Sequence, residues 1–494
     1  MRPVPATELT EDDPFGDSLY ENYTEADMLR EYYPGGHKIN SPLYYPDIYR
    51  EVWEDDIDSQ GEPTGKKIRH VYVEKVPRYA FAFEQVIALK HIIHVTGNDI
   101  QCDLNIDKPT EEQKRFYAEI RQGWQMKDME TAFFKAVKAI KIVANTAVVG
   151  FMDNKEFGTK VLSFKDGNLL YPHHDPLTGK LKVFARRFND YDSSGTEMVQ
   201  WLEVWDEKFY CRYKRNSKGN QSVGDMIMGM FRLDGWQRDE KKPHGFPFIP
   251  VAYYRDDDGP CWSASRDSID SYDLSFSQMA HNNEAFGEPI MVLQSSGEAP
   301  VDIQHGLNGT VKTLSMDSES KASYLEGQSA SESYQKQLET LYKMIYEQSF
   351  AVIPPELRSG DLPGVALKLL YSPAYEKAMY DAGELQDFLN DMTRIFLYGY
   401  GLEKERTIDY MNLPLKWWIK PYIHINESAI VQDLATAVQN GFMSVQTASE
   451  RNAAYSIVDE YERITSEKKE QEKSDLLYQM KTASANRKNE TQTS

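Results

Sequence analysis

The spacing of apolar residues switches twice along the chain, from helical to alternating near Gly150 and back to helical near Ser263. Before the first switch, Ile68–Val73 alternates like a strand, Tyr79–His91 has helical spacing, and Glu111–Val149 holds two further helical patterns. The second of these, Glu130–Val149, is almost continuously apolar, which predicts a buried helix. From Gly150 to about Tyr254, short alternating runs such as Val199–Trp205 and Lys208–Tyr213 are separated by turns such as Lys165–Asn168, Pro176–Gly179 and Ser217–Asn220. This predicts an antiparallel meander, closed by a strand over Pro247–Tyr254. Beyond the Arg255–Pro260 breaker, a helix is predicted from about Ser263 to Phe286, with Ile269, Tyr272, Leu274, Phe276 and Met279 as its apolar content. Ile290–Gln294, Val311–Ser315 and Ala322–Leu325 then read as three short strands.

From Ser331 to Tyr398 the chain reads as two long helices joined by the hinge Ala351–Gly364. The hinge holds Pro354, Pro355, Gly360, Pro363 and Gly364. Proline lacks a donor N–H and clashes with the preceding turn, and glycine is a poor helix former, so one helix stops near Phe350 and another starts near Gly364. On the first, Tyr334, Leu338, Leu341 and Ile345 form a narrow apolar seam. Its other side reads Glu332, Lys336, Glu339, Lys343, Glu347, and each helical-turn pair of opposite charge adds roughly 0.2–0.5 kcal/mol. On the second, Pro373 is expected to bend the helix, whose later half carries Leu385, Phe388, Leu389, Met392, Ile395 and Phe396 on one face. Residues 407–426 read as extended, with a strand over Trp417–Ile425. The end of the chain reads as helices over Ser428–Asn440, Val445–Arg451 behind a Ser444 cap, and Asp459 to about Lys481.

At 494 residues the chain exceeds one typical core, and two to four subdomains are expected. The formal charge of −21 argues against a conventional basic nucleic-acid footprint. Residues 1–60 carry fifteen acidic residues against four basic ones, interleaved with Tyr20, Tyr23, Tyr32, Tyr33, Tyr44, Tyr45 and Tyr49. They read as an acidic leader, partly disordered and partly docked through its aromatic rings. Cys102, Cys211 and Cys261 have no metal-ligand spacing and read as reduced core thiols. No apolar signal core and no run of eighteen apolar residues is present, so neither secretion nor a membrane span is expected.

Catalytic patterns are missing. There is no Gly-x-x-x-x-Gly-Lys-[Ser/Thr] loop, no Gly-x-Ser-x-Gly elbow and no His-Glu-x-x-His helix. His91 and His94 lack a third ligand at matching spacing, and the same holds for His173 and His174. Asp256–Asp258 fails as a calcium loop, because the sixth position is Cys261 rather than glycine and the twelfth is Asp267 rather than glutamate. No cofactor, metal or enzymatic activity is expected.

The order of these parts resembles the portal proteins of tailed double-stranded DNA bacteriophages, of the siphophage type. Three stretches carry the resemblance: Ser359–Lys368 with Lys377–Ala378, Asp273–Phe286 running into Pro289–Leu293, and Asn440–Glu450 with Asp459–Glu462. Residues 1–150 contain no motif of that family. The resemblance implies an α+β fold: acidic leader and mixed α/β wing over 1–262, first stem helix 263–286, and a small β clip over 287–328. After these come the second stem helix 329–349, tunnel loop 350–364, kinked helix and return strand 365–426, helical crown 427–481 and flexible tail 482–494. It implies a homo-oligomeric ring, twelve-fold in virions, assembled in the host cytoplasm and placed at one capsid vertex. DNA would enter through the ring during packaging and leave through it at ejection. The implied partners are the terminase packaging motor, the head-tail connector or adaptor that replaces it, the major capsid and scaffolding proteins, and double-stranded DNA in weak, non-specific contact. No membrane is implied. Its candidate channel residues are Lys336, Lys343 and Glu347 on the stem, and Arg358 and Asp361 in the loop. The lysines either touch phosphates or pair with glutamates of neighbouring stems. Two other readings stand beside it: a head or tail structural protein without a DNA channel, and a carbohydrate-active enzyme, suggested by 12% aromatic residues and many carboxylates.

Overall fold

The computed structural model describes residues 23–57, 63–106, 108–191, 195, 198–216, 236–286, 290–294, 302–305, 311–315, 321–325, 331–352, 369–422, 427–451 and 464–469. In chain order the elements are α1 (Glu25–Tyr32), β1 (Ile48–Ile57), β2 (Pro63–Glu74), α2 (Phe83–Thr96), β3 (Gln101–Leu104), α3 (Glu111–Met126) and α4 (Met129–Val143). Then come β4 (Asn145–Asp153), β5 (Glu156–Leu162), β6 (Leu169–His174), β7 (Leu181–Tyr191), β8 (Met198–Trp205), β9 (Phe209–Asn216), β10 (Gln237–Pro243) and β11 (Val251–Arg255). α5 (Arg266–Phe286), β12 (Ile290–Gln294), β13 (Asp302–His305), β14 (Val311–Ser315), β15 (Lys321–Leu325) and α6 (Ser331–Gln348) follow. The last are α7 (Ser372–Glu384), α8 (Gln386–Glu403), α9 (Thr407–Met411), β16 (Leu415–Trp418), α10 (Glu427–Gln439) and α11 (Val445–Arg451). The class is α+β, as expected. The chain divides into two compact units, Met1–Ile353 with Pro373–Tyr422, and Pro354–Ser372 with Ile423–Ser494.

The main core of the first unit forms where α4 and α8 pack on the three-stranded sheet β11-β4-β5. α4 buries Met129, Phe133, Ala136, Val137 and Ile140, a helical stripe, and α8 answers with Phe388, Leu389, Met392, Ile395 and Phe396. The apolar run expected as a single helix to Val149 is split: Ala144 turns left-handed at φ 59 and ends the helix, and Asn145 begins β4. A continuous apolar run fits a buried helix and a buried strand equally well, so only the backbone reversal at Ala144 separates them. The meander is real and five-stranded, β10-β9-β8-β7-β6. Its expected closing strand, however, is β11, which pairs with β4 in the other sheet, Val251 opposite Val149.

Other expectations shift with tertiary pairing. The helix predicted over Tyr79–His91 is displaced to Phe83–Thr96. The region 287–328 contributes four strands rather than three, Asp302–His305 being the addition, in the pairs β12-β15 and β13-β14. Residues 407–411 are helical instead of extended, and the return strand is the short β16, which pairs with β3. Pro373 sits in the first turn of α7, where its missing N–H costs nothing. The helix is interrupted at Tyr371, two residues ahead of Pro373, and a second irregularity falls at Leu385, ψ −4, between α7 and α8, with Leu389 N still donating to the Leu385 carbonyl at 2.9 Å. In the second unit, Gly441 takes φ +73 after α10 and the Ser444 side chain caps α11 by accepting from Thr447 N at 3.1 Å.

The stretch read as an acidic leader is, from Thr24 onward, built into the first unit. His37 is buried and donates from Nδ1 to Asp273 Oδ2 on α5 at 2.7 Å; its Nε2 lies 3.0 Å from the Glu31 carbonyl and 3.3 Å from Glu84 Oε2 on α2. Phe81 N donates to the second Asp273 oxygen at 3.1 Å. Around this node, Lys38 pairs with Asp270 at 2.7 Å, and Arg266 stacks over the Tyr23 ring at 4.1 Å while pairing with Glu31. Burial alone would lower the His37 pKa, but the Asp273 and Glu84 carboxylates overcome it and push it up to about 10. Burial in turn raises the pKa of both carboxylates.

A histidine pKa raised on folding stabilises fully below its unfolded value near 6.5 and loses that contribution as pH climbs towards 10. The raised carboxylates act in the same direction. Residues 24–47 should therefore become more accessible to hydrogen exchange between pH ~6.5 and ~10. The substitution His37→Gln should loosen the segment already at neutral pH and abolish the pH dependence. An unchanged pH profile in that variant would show that another group controls the docking.

Candidate functional site

α5 and α6 lie antiparallel. Ser268 Oγ donates to Gln348 Oε1 at 3.0 Å and Gln337 Nε2 to Ser275 Oγ at 3.0 Å, so positions rise on one helix as they fall on the other, and Ser265 Oγ, just ahead of α5, closes the start of the pair by donating to the Ile345 carbonyl at 2.7 Å. The seam expected on α6 faces inward: Leu338 and Ile345 are buried, Tyr334 and Leu341 half-buried. Phe83 of α2 meets the rings of Tyr272, Tyr342 and Tyr346 at 5.0, 6.0 and 6.1 Å. α5 buries Ile269 among the apolar residues expected on it, and with it Ser268, Asp273, Ser275 and Ser277. Small hydroxyl side chains let two helices approach closely while satisfying their own hydrogen bonds. That serine-rich row is legible in the sequence as a small-residue stripe.

The charged row of α6 is solvent-facing throughout: Glu332, Lys336, Glu339, Lys343 and Glu347 are all exposed. Lys336, Lys343 and Glu347 are thus brought to one open helix face. Lys343 Nζ lies 3.5 Å from Glu347 Oε1, with the two side chains 75% and 64% exposed. A pair so open to water restrains neither partner strongly. Arg358 and Asp361 lie outside the described residues.

Entry to the hinge is described, and it is anchored. α6 ends at Gln348; Ser349 N still donates to the Ile345 carbonyl at 3.2 Å, and Phe350 takes the left-handed conformation, φ 56, which stops the helix where expected. Ser349 and Ala351 are buried. His91 Nε2 donates to the Ser349 carbonyl at 2.7 Å, which places the proton on that nitrogen. The other ring nitrogen faces Asp381 of α7, beyond the hinge, at 3.8 Å. Asp381 is buried and pairs with Lys141 of α4 at 2.8 Å and Lys377 at 2.9 Å. Burial favours its neutral form, but the His91 contact and the two lysine charges prevail and hold its pKa far below the usual carboxylate range. One histidine of the His91/His94 pair therefore joins the two flanks of the hinge. His94 instead contacts the Tyr422 carbonyl at 2.8 Å through Nδ1, and burial lowers its pKa. The two imidazoles serve separate partners. No group of three or more His, Cys, Asp or Glu among the described residues is placed to hold a metal.

A family model described as "Phage portal protein, SPP1 Gp6-like" matches residues 15–474. The chain belongs to this portal family. It is a structural family, not a catalytic one. The portal protein of Bacillus phage SPP1 is 22% identical over 295 residues, 55% of this chain and 54% of that protein, so the match spans about half the length of this relative. Solved particles with similar chains include the neck of an empty gene transfer agent particle, TM-score 0.41 at 11% identity, covering 76% of this portal chain and 91% of that one. A chain of the native gene transfer agent virion has TM-score 0.38 at 10% identity, covering 76% and 89% respectively.

Removing the Asp381 charge leaves Lys141 buried without its counter-ion, a loss typically worth about 3–5 kcal/mol. Asp381→Asn should lower the denaturant midpoint accordingly and speed hydrogen exchange at both Ser349–Ala351 and α7. Because the folded pKa is depressed, the wild-type contribution is present above the unfolded value near 3.9 and is lost as pH falls below it. Acid unfolding of the variant should consequently be less steep. Exchange rising at only one of the two flanks would break the link assigned to His91.

Proposed function

We propose that this portal protein forms a ring at one vertex of the capsid, through which DNA enters during packaging and leaves at ejection. Its place is the virion, and its partners are the capsid and tail machinery, with the terminase motor docking first and the head-tail connector or adaptor afterwards. Membership of the portal family supports the ring. One structural observation supports the channel: α6 buries a narrow seam against α5 and α2 and keeps its whole opposite row of alternating charges in water, directly ahead of the hinge. In this reading α5 and α6 are the stem, β12–β15 the clip, residues 350–364 the tunnel loop, and α10 with α11 part of the crown. Lys336, Lys343 and Glu347, with Arg358 and Asp361, line the DNA path.

The chemistry suits sliding. Isolated lysines among glutamates attract phosphates weakly and exchange them readily, because exposed charges are screened beyond a Debye length of ~8 Å at physiological salt. At −21 per copy, the wall as a whole resists condensing onto DNA. The anchored hinge flanks serve a different need. A loop that meets moving DNA has to be free at its tip and fixed at its ends, and the His91 to Asp381 connection supplies the fixed ends.

Negative-stain microscopy of the purified chain should show rings with a central hole wide enough for a duplex; monomers under every condition would overturn the portal-ring reading. Deleting Ser359–Pro363 should leave ring assembly intact and reduce packaged DNA severely. DNA-filled heads from that deletion would remove the tunnel loop from the mechanism. Exchanging Lys336 and Lys343 for glutamine should alter the salt dependence of packaging without lowering ring stability, since neither lysine is buried.

A further inference from the structure

The β1–β2 hairpin is long, and no third strand pairs with it among the described residues. Its register places Tyr49 opposite Val73, Glu51 opposite Val71 and Trp53 opposite Arg69, so these six residues share one face. On that face Tyr49 is 68% exposed, Trp53 58%, Val71 50% and Val73 53%. The opposite face also leaves Ile48, Ile68 and Tyr72 exposed. A lone two-stranded ribbon is marginal in water, and clustered exposed aromatic and β-branched residues mark an interface.

The base of the hairpin, by contrast, is held firmly. Arg78 pairs with Asp47 at 2.7 Å and donates to the Tyr45 carbonyl at 2.7 Å, closing the strands where they leave the body. Lys38 to Asp270, and Tyr79 N to Ser277 Oγ at 2.9 Å, fix that base to α5. The ribbon therefore springs from a stem helix with its position set.

Charge identifies what covers it. Glu51 and Arg69 pair with each other across the ribbon; beyond that pair β1 carries Glu54, Asp55 and Asp56 against Arg50, while β2 carries Lys66 and Lys67 against Glu74. One edge of the ribbon is acidic and the other basic, and among the described residues neither strand pairs with a third. Two such ribbons meeting about a twofold axis would set acid against acid or base against base. A second copy displaced sideways sets base against acid, which is a heterologous contact of the kind that closes a ring. Copies related by rotation carry their hairpin tips the same way, so β2 of one runs antiparallel to β1 of the next, as ladder pairing prefers.

We propose that the β1–β2 hairpin straps neighbouring copies together, the basic β2 edge of one copy adding to the acidic β1 edge of the next. The proposal rests on the ring reading above, and adds to it a named inter-subunit element outside the stem, clip and crown.

Two charge-reversed full-length chains test it. E54K/D55K/D56K makes both edges basic and K66E/K67E makes both acidic, each leaving the Glu51–Arg69 pair inside the hairpin intact. Each alone should lose ring population by roughly tenfold or more at low salt, since every contact becomes repulsive. Mixed in equal amounts, they should recover rings, because alternating copies restore opposite charge at each contact. Full assembly of either variant alone, or a mixture no better than its components, overturns the proposal. A second measurement uses the unaltered chain. Hairpin amides should exchange slowly in rings and quickly in dissociated subunits; fast exchange within intact rings removes the strap and leaves the ring reading standing. A wild-type chain that never forms rings removes both. Protection of the hairpin only by an added capsid or connector protein assigns the surface to that partner and also overturns the proposal.

Discussion

A charge taken out of water has to be neutralised where it stands, and Asp381 imposes that constraint on much of the first unit. Its carboxylate is buried among Lys141 from α4, Lys377 from its own helix and His91 from α2. Leaving Lys141 behind without it would strand a charge in low dielectric. The three helices are therefore committed to one mutual arrangement. Through the Ser349 carbonyl, so is the end of α6. Apolar packing of α4 and α8 on the β11-β4-β5 sheet supplies the bulk of the core, but apolar contacts tolerate sliding. The ionic node does not, and it stands where the hinge enters and leaves.

The His37 node repeats the logic in the first half of α5, at Asp273. A protonated imidazole between Asp273 and Glu84 binds the N-terminal segment to α5 and α2. The two nodes differ in sign. The first is a carboxylate held by cations and is proof against all but strong acid. The second is a cation held by carboxylates and loosens on the alkaline side. The α5–α6 pair is thus fixed by groups whose partners come from far along the chain. The faces left to solvent include the charged row of α6 and the β1–β2 ribbon, the two surfaces on which the proposals above rest.

Several features were legible before folding because they are local. Proline and glycine chemistry marked the break after Phe350, and a four-three-four spacing marked the α6 seam, where Leu338 and Ile345 are buried and Lys336, Lys343 and Glu347 are exposed. Turn residues marked the five-stranded meander. Features that needed partners were not legible. Nothing in the run from Glu130 to Val149 says that Ala144 reverses the backbone, because buried helix and buried strand draw on the same residues. Nothing in Pro247–Tyr254 says which sheet it joins. Nothing marks Asp381 or His37 in the sequence, and His91 stands out there only as half of a histidine pair without a third ligand, since a buried ion pair is a property of two distant positions at once.

The sequence by itself determined the α+β class, the helix that precedes the hinge, the hinge itself and the acidic balance of the chain, and the order of those parts carried the likeness to portal proteins. These follow from short-range physics: periodicity, helix breakers, turn chemistry and net charge. The tertiary structure alone decided that residues 24–47 belong to the body, that β11 pairs with β4, and that one histidine ties the two flanks of the hinge. It also decided that an acidic and a basic strand are paired into a ribbon with opposite edges. Each of these depends on which distant groups meet when water is excluded, and desolvation acts only on groups that the fold has already brought together.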